Sequence, residues 1–355
     1  MATVTLTRAA AIQSGISKRL QILTILVAFT PAVFAADKPA QNDARRSATA
    51  ETTGTAILWR QPTDIASRDL FNGPGGQAHA PKSTIFTFVK EDLDGTATKF
   101  VVRDDEGVKW KVKLGAEAKP ETAASRIVWA AGYSANEDYF LPNLHIKELP
   151  SHLHRGQNQI GPGGSVQNAR LKREPDDEKK EGVWRWKHDP FVGTREYNGL
   201  RVLMALINNW DLKDVNNAVY KNRGDKEQVY AVSDVGATFG TTGVVLNLKN
   251  ARGNLKAYEH SRFITKTTPK KVNFATPGRP TFWMAFNPPR YFMRLSLRSI
   301  GHNVPREDAK WMGDLLGGLS AHQIRDAFRA AGYSPEEVEG FARTVEGRIS
   351  ALRAL

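Results

Sequence analysis

Apolar and charged residues alternate strictly over residues 108–114: Val108, Trp110, Val112 and Leu114 fall on one face of a strand, and Lys109, Lys111 and Lys113 on the other. Two earlier runs, 84–90 and 99–103, are rich in β-branched and aromatic residues and are bounded by turn formers, so three strands of a small antiparallel sheet are expected. Asp104-Asp-Glu-Gly107 supplies the hairpin turn between the last two, and Asn72-Gly-Pro-Gly-Gly76 reads as a loop. A helix over about 121–131 follows, introduced by Pro120 and closed by Gly132, then strands around 139–146 and 165–172. The charge-dense, proline-containing stretch 173–182 reads as a solvated connection.

Beyond it, Leu200, Leu203, Met204 and Ile207 recur at helical spacing and predict a helix over about 194–209. Residues 218–220 and 229–232 form a predicted hairpin, with Asn216 at one root and Asp234 at the other. Residues 241–290, dominated by Gly, Lys, Thr and Pro, read as a long irregular stretch with short elements. At least three helices are expected at the C-terminus. Ser320-x-x-Gln323 and Ser334-Pro-Glu-Glu337 are capping boxes for the last two, and Gly332 is the C-cap between them. The fold class is therefore α+β and bilobal: a small antiparallel-sheet lobe with one helix over 57–175, and a mainly helical lobe over 176–355.

The chain start changes the picture. Arg8, Lys18 and Arg19 precede an apolar run, 20–34, that ends in Val33-Phe34-Ala35, the arrangement of a secretory signal peptide over 1–35. Thr30 and Pro31 interrupt the run, and it falls short of the roughly 20 residues of a membrane span, so cleavage is expected rather than a stable transmembrane anchor. Residues 36–56 read as a flexible leader, and the expected location is periplasmic or secreted. Removing 1–35 lowers the formal charge from +13 to +10. That field favours anionic partners such as nucleotide phosphates, acidic glycans or lipid headgroups, although basic exported proteins are also common without such partners. The basic residues are dispersed and carry no recognition motif, so no specific nucleic acid is expected. Cysteine is absent, which excludes disulfides, thiolate zinc sites and cysteine nucleophiles; His152-x-His154 has no third partner at metal-ligand spacing.

Candidate chemistry lies in Asp211-Leu-Lys-Asp-Val-Asn216 and, 18 residues on, Asp234-Val-Gly236. Phosphoryl transfer needs charge neutralisation and in-line positioning, which acidic, amide and lysine side chains on rigid loops provide. The bland alternative is a polar turn followed by a hairpin, with Asp and Asn as turn formers.

The order of parts over about 90–240 resembles the protein-kinase-like superfamily, in its atypical branch with the HipA-type bacterial kinases and the secretory-pathway Fam20 kinases. The resemblance implies nucleotide binding by Gly95 and Lys99 in a short phosphate loop, by Lys113 as the strand lysine, with Lys111 as fallback, and by Glu121 as its helix partner. It implies Asp211 as the base that orients the attacking hydroxyl, Lys213 as a charge-balancing residue, and Asn216 and Asp234 as ligands of Mg2+ or Mn2+, with ATP as the phosphoryl donor. In the competing reading Gly95 closes a turn after Asp94, the three lysines line the wet face of a sheet, and Glu121 complements the helix dipole.

Departures are plain: Asn209 and Trp210 stand where His-Arg is usual, Val235 replaces phenylalanine, and no Ala-Pro-Glu follows. The expected function is an exported ATP-dependent phosphotransferase acting on an acceptor hydroxyl of undefined class. The alternatives are a pseudokinase-type envelope binding protein and nucleotidyl transfer from the same site.

Overall fold

The computed structural model describes residues 54–224, 226–241, 251–275 and 288–355, all inside one compact unit, Ala44–Leu355. The expected signal peptide and most of the leader lie outside the described residues. The first strand, β1 (Thr55–Ile57), pairs parallel with β9 (Glu227–Val232), so ordered pairing starts at Thr55, two residues before the expected Ile57.

The alternating segments form more than an open sheet. Strands β2 (Ile85–Glu91), β3 (Lys99–Arg103), β4 (Lys109–Lys113), β6 (Ser165–Arg173) and β5 (Asp138–Lys147) close, in that order, into a barrel. All pairs are antiparallel except β2 with β5, which is parallel and closes the ring. Closure removes both sheet edges. Phe86, Phe100, Val102, Trp110, Val112, Leu144 and Leu171 fill the interior. At the β3–β4 turn, Asp104 Oδ1 accepts from the Glu106 and Val108 amides, while its Oδ2 accepts from Trp110 Nε1.

Helix α1 (Ala118–Ala130) follows β4 and ends in a Schellman turn: Gly132 adopts φ +88° and the Tyr133 amide donates to the Val128 carbonyl. Its apolar residues Ala123, Ala124, Ile127 and Val128 join a larger second core, shared with the following helices, rather than the barrel interior. The charge-dense connection contains a strand, β7 (Glu178–Gly182), paired antiparallel with β8 (Asn217–Asn222) at the edge of the sheet β1-β9-β8-β7. An edge strand bristling with Glu and Lys lacks alternation because neither face is buried, and its charge discourages pairing with other chains.

Helix α2 (Arg195–Leu206) is capped by Thr194, whose hydroxyl accepts from the Tyr197 amide. It ends at Asn208, in the left-handed conformation at φ +54°, with the Asn209 amide donating to the Met204 carbonyl. This stop aims the chain at Asp211. In the expected irregular stretch, the described residues hold α3 (Leu255–Glu259), β10 (Ile264–Thr267) and β11 (Lys271–Phe274). The rest of the chain adds α4 (Pro288–Leu297), the two-residue β12 (Val304–Pro305) beside β11, α5 (Arg306–Leu316), α6 (Ala321–Arg329) and α7 (Pro335–Arg353). Both expected capping boxes are formed, at Ser320 and Ser334. No helix among the described residues is long and apolar enough to cross a membrane.

Candidate functional site

Lys113 ends β4 and points away from solvent, with 3% of its side chain exposed. Its ammonium lies 2.7 Å from Glu121 Oε2, 3.1 Å from Glu117 Oε2 and 3.4 Å from both Asp234 oxygens. Three segments separate in sequence thus meet at one nitrogen: a barrel strand, the first turns of α1, and the loop after β9. Burial alone would pull the Lys113 pKa down. The Glu121 and Asp234 carboxylates more than offset it, and the net shift is upward, so the group stays charged. Burial would raise the Asp234 carboxyl, but Lys113 and the Gly236 amide, which donates to Oδ1 at 3.1 Å, hold it below its usual value.

The expectation of a wet lysine face therefore fails at Lys113. Lys111 instead pairs with Asp92 at 3.0 Å and Glu174 at 3.1 Å, which removes it as the fallback at this cluster. Lys99 sits directly across β3–β4 from Lys113 and lies 3.6 Å from Asp92; burial and the neighbouring Lys113 and Lys111 lower its pKa. Gly95 is exposed in the β2–β3 hairpin at φ +67°, with open space where a Cβ would sit, and its carbonyl accepts from Arg155 at 2.5 Å. Those are the features of a turn glycine.

A second group surrounds Asp211. Its Oδ2 lies 3.1 Å from Lys213 Nζ and its Oδ1 3.4 Å from Arg294 Nη2, a buried guanidinium on α4. Asn209 Oδ1 accepts from the Asp211 amide, and Asn216 Nδ2 donates to the Asp211 carbonyl at 2.5 Å. The two groups are joined through backbone, because the Asn216 carbonyl accepts from the Ser233 and Asp234 amides. Arg252 completes the link: it pairs with Glu117 Oε1 and lies over the Trp210 ring, 5.2 Å from its centroid. Arg252 also lines a cavity of about 740 Å³ at the start of α1, together with Gly115, Lys119, Gln167 and Tyr333.

Gly236 has a reason other than a turn. A Cβ there would come within 3.0 Å of Glu117, so the glycine lets the Asp234 loop lie against α1. Carboxylate oxygens of Glu117, Glu121 and Asp234 lie within 4.8 Å of one another, and hard oxygen donors of this kind suit Mg2+ or Mn2+. Both Glu121 oxygens face cations, Oε2 meeting Lys113 and Oε1 meeting Arg170 of β6 at 2.9 Å. Glu117 likewise meets Lys113 and Arg252, whereas Asp234 keeps 41% of its side chain exposed. Asp234 is therefore the carboxylate of this cluster most open to an ion, with Glu117 beside it.

Sequence reasoning missed Glu117, Arg170, Arg252 and Arg294. Glu117 was legible as the residue one helical turn before Glu121. The arginines carry no local signal, since only the tertiary fold brings β6, the segment after residue 250 and α4 to this place.

No family model matches the sequence, and no curated protein matches it. Among solved structures the chain is similar to the Helicobacter pylori proinflammatory kinase CtkA, with a TM-score of 0.41 and 11% identity, over 77% of this chain and 97% of that one. It is also similar to the Golgi casein kinase, with a TM-score of 0.33 and 12% identity, over 78% of this chain and 73% of that one. The same kinase with Mn/ADP bound aligns at a TM-score of 0.30 and 12% identity, over 77% and 75%. Likenesses at such scores carry no functional argument, which rests on the side chains above.

Proposed function

We propose that this chain is an exported, ATP-dependent phosphotransferase of the protein-kinase-like type, with residues 57–175 contributing the nucleotide-binding part and 176–355 the catalytic and metal loops. One observation carries the reading: Lys113, buried at the end of a barrel strand, contacts Glu121 at 2.7 Å and Asp234 at 3.4 Å. A buried ammonium held between a helix carboxylate and a half-exposed loop carboxylate is a receptor for phosphate oxygens beside a place for a divalent ion.

In this reading Lys113, with Lys99 across the sheet, neutralises the phosphates of ATP, and Glu121 holds the Lys113 ammonium in place. Asp234 and Asn216, with Glu117 added, would hold Mg2+ or Mn2+, which when bound supplies charge neutralisation for the phosphates. Asp211 orients the acceptor hydroxyl and takes its proton, while Lys213 balances charge on the moving phosphoryl group. The signal peptide over 1–35 directs the enzyme to the periplasm or outside the cell.

A second reading is a pseudokinase-type binding protein, favoured by the two cations already facing Asp211, Lys213 at 3.1 Å and Arg294 at 3.4 Å. One experiment tests both. ATP binding and turnover are measured with Mg2+ or Mn2+ on protein beginning at Ala36, beside Asp211→Ala and Asp234→Ala. A transferase shows metal-dependent turnover that both substitutions abolish. Metal-dependent binding with no turnover from any form fits either a pseudokinase or a transferase lacking its acceptor, and absence of ATP binding by folded protein removes the transferase and leaves the binding protein.

A further inference from the structure

Lys113 on β4 and Arg170 on β6 are register partners, and both side chains are 3% exposed. Lys99 is the partner of Lys113 on the other side, so three cations form one row across β3, β4 and β6. Like charges opposite each other on a sheet repel, and burial away from water sharpens the conflict. Glu121 resolves it. Its Oε2 meets Lys113 at 2.7 Å and its Oε1 meets Arg170 Nη2 at 2.9 Å. Arg170 is itself anchored: Nη1 lies 3.5 Å from Asp138 Oδ1 and donates to the Lys111 carbonyl at 3.5 Å.

We propose that Arg170 is the positioning residue of the Lys113–Glu121 pair, holding one Glu121 oxygen so that the other is presented to the lysine. This rests on the phosphotransferase reading above for its consequence, which is that nucleotide phosphates meet an ammonium fixed in direction. A glutamate carboxylate held by a single ammonium can still turn about its side-chain bonds. One held at its second oxygen by a planar guanidinium, which is fixed in turn by a strand carboxylate and a backbone carbonyl, cannot. Supporting partners of this kind are what keep a reactive group within a fraction of an ångström of its working place.

The test uses Arg170→Met, Arg170→Lys and the charge-balanced Arg170→Met/Asp138→Asn, the last guarding against loss of folding in the first. Two quantities are read on folded protein: the rate at which Lys113 is acetylated by a small reagent without nucleotide, relative to exposed Lys82, and the Kd for ATP with magnesium. Removing a neighbouring positive charge makes Lys113 more basic and by itself slows acetylation, so a faster rate reports a freed side chain. Loss of positioning raises the Lys113 rate and weakens ATP binding, each by about tenfold, with Arg170→Lys intermediate because an ammonium keeps the charge without the planar fork that fixes direction. A lower melting midpoint with both readouts unchanged would overturn the proposal and leave the phosphotransferase reading intact. If the unaltered protein binds no ATP but the acetylation rate still rises, the positioning of Lys113 stands and the phosphotransferase reading falls.

Discussion

At the scale of single residues, one carboxylate decides most of the candidate site. Glu121 is 1% exposed and serves both Lys113 and Arg170, so Glu121→Gln leaves two buried cations in register with no anion between them. That substitution should lower stability by about 3–5 kcal/mol in urea denaturation. Lys113→Met should cost less stability, since Arg170 remains paired with Glu121, yet weaken magnesium-ATP binding by roughly 10–100-fold in calorimetry, the loss of one charge-assisted contact. Asp138 adds a pH signature. Burial is the main cause, with Glu121 adding to it and Arg170 opposing it, and its pKa is pushed up from 3.8 to about 6. Between those values the folded chain holds the proton more tightly than the unfolded chain does. Stability from this group therefore falls as pH rises through the window and levels off above it. Asp138→Asn should flatten that part of the pH dependence of the melting midpoint, an effect of at most about 3 kcal/mol.

At the scale of elements, local signals located most of the pieces. Alternation marked β4, helical spacing marked α2, and the capping boxes at Ser320 and Ser334 are formed as expected. Gly332 is required twice over: it sits at φ +71°, and a Cβ there would run into the Phe140 ring of β5. Gly332→Ala should therefore destabilise more than Ser320→Ala, for which loss of a cap costs about 1 kcal/mol; paired thermal melts compare them directly. The elements missed share a physical trait. Strand β7 is a charged edge, and β10 and β11 are four residues each, so neither shows a periodicity long enough to read.

At the scale of the whole molecule, the net charge of +10 left after residues 1–35 are removed predicts that ATP binding depends on ionic strength. Raising salt from 0.05 to 0.3 M should weaken it several-fold as screening shortens the reach of the surrounding basic field. An unchanged Kd would confine the electrostatics to the buried contacts. The fold also decides what each charge is for. Lys109, Lys111 and Lys113 are equivalent by alternation, yet they pair with Asp176, with Asp92 and Glu174, and with Glu121 and Asp234 respectively. The sequence by itself determined the barrel strands, the longer helices and the two C-terminal capping boxes, and the order of Lys113, Glu121, Asp211, Asn216 and Asp234 along the chain, because local periodicity and turn chemistry depend only on near neighbours. Only the tertiary structure decided that the barrel closes, that Lys113 is the buried lysine, and that Glu117, Arg170, Arg252 and Arg294 stand beside it or beside Asp211. Those outcomes depend on which distant segments pack together, and burial of a charge is set by that packing rather than by its neighbours in sequence.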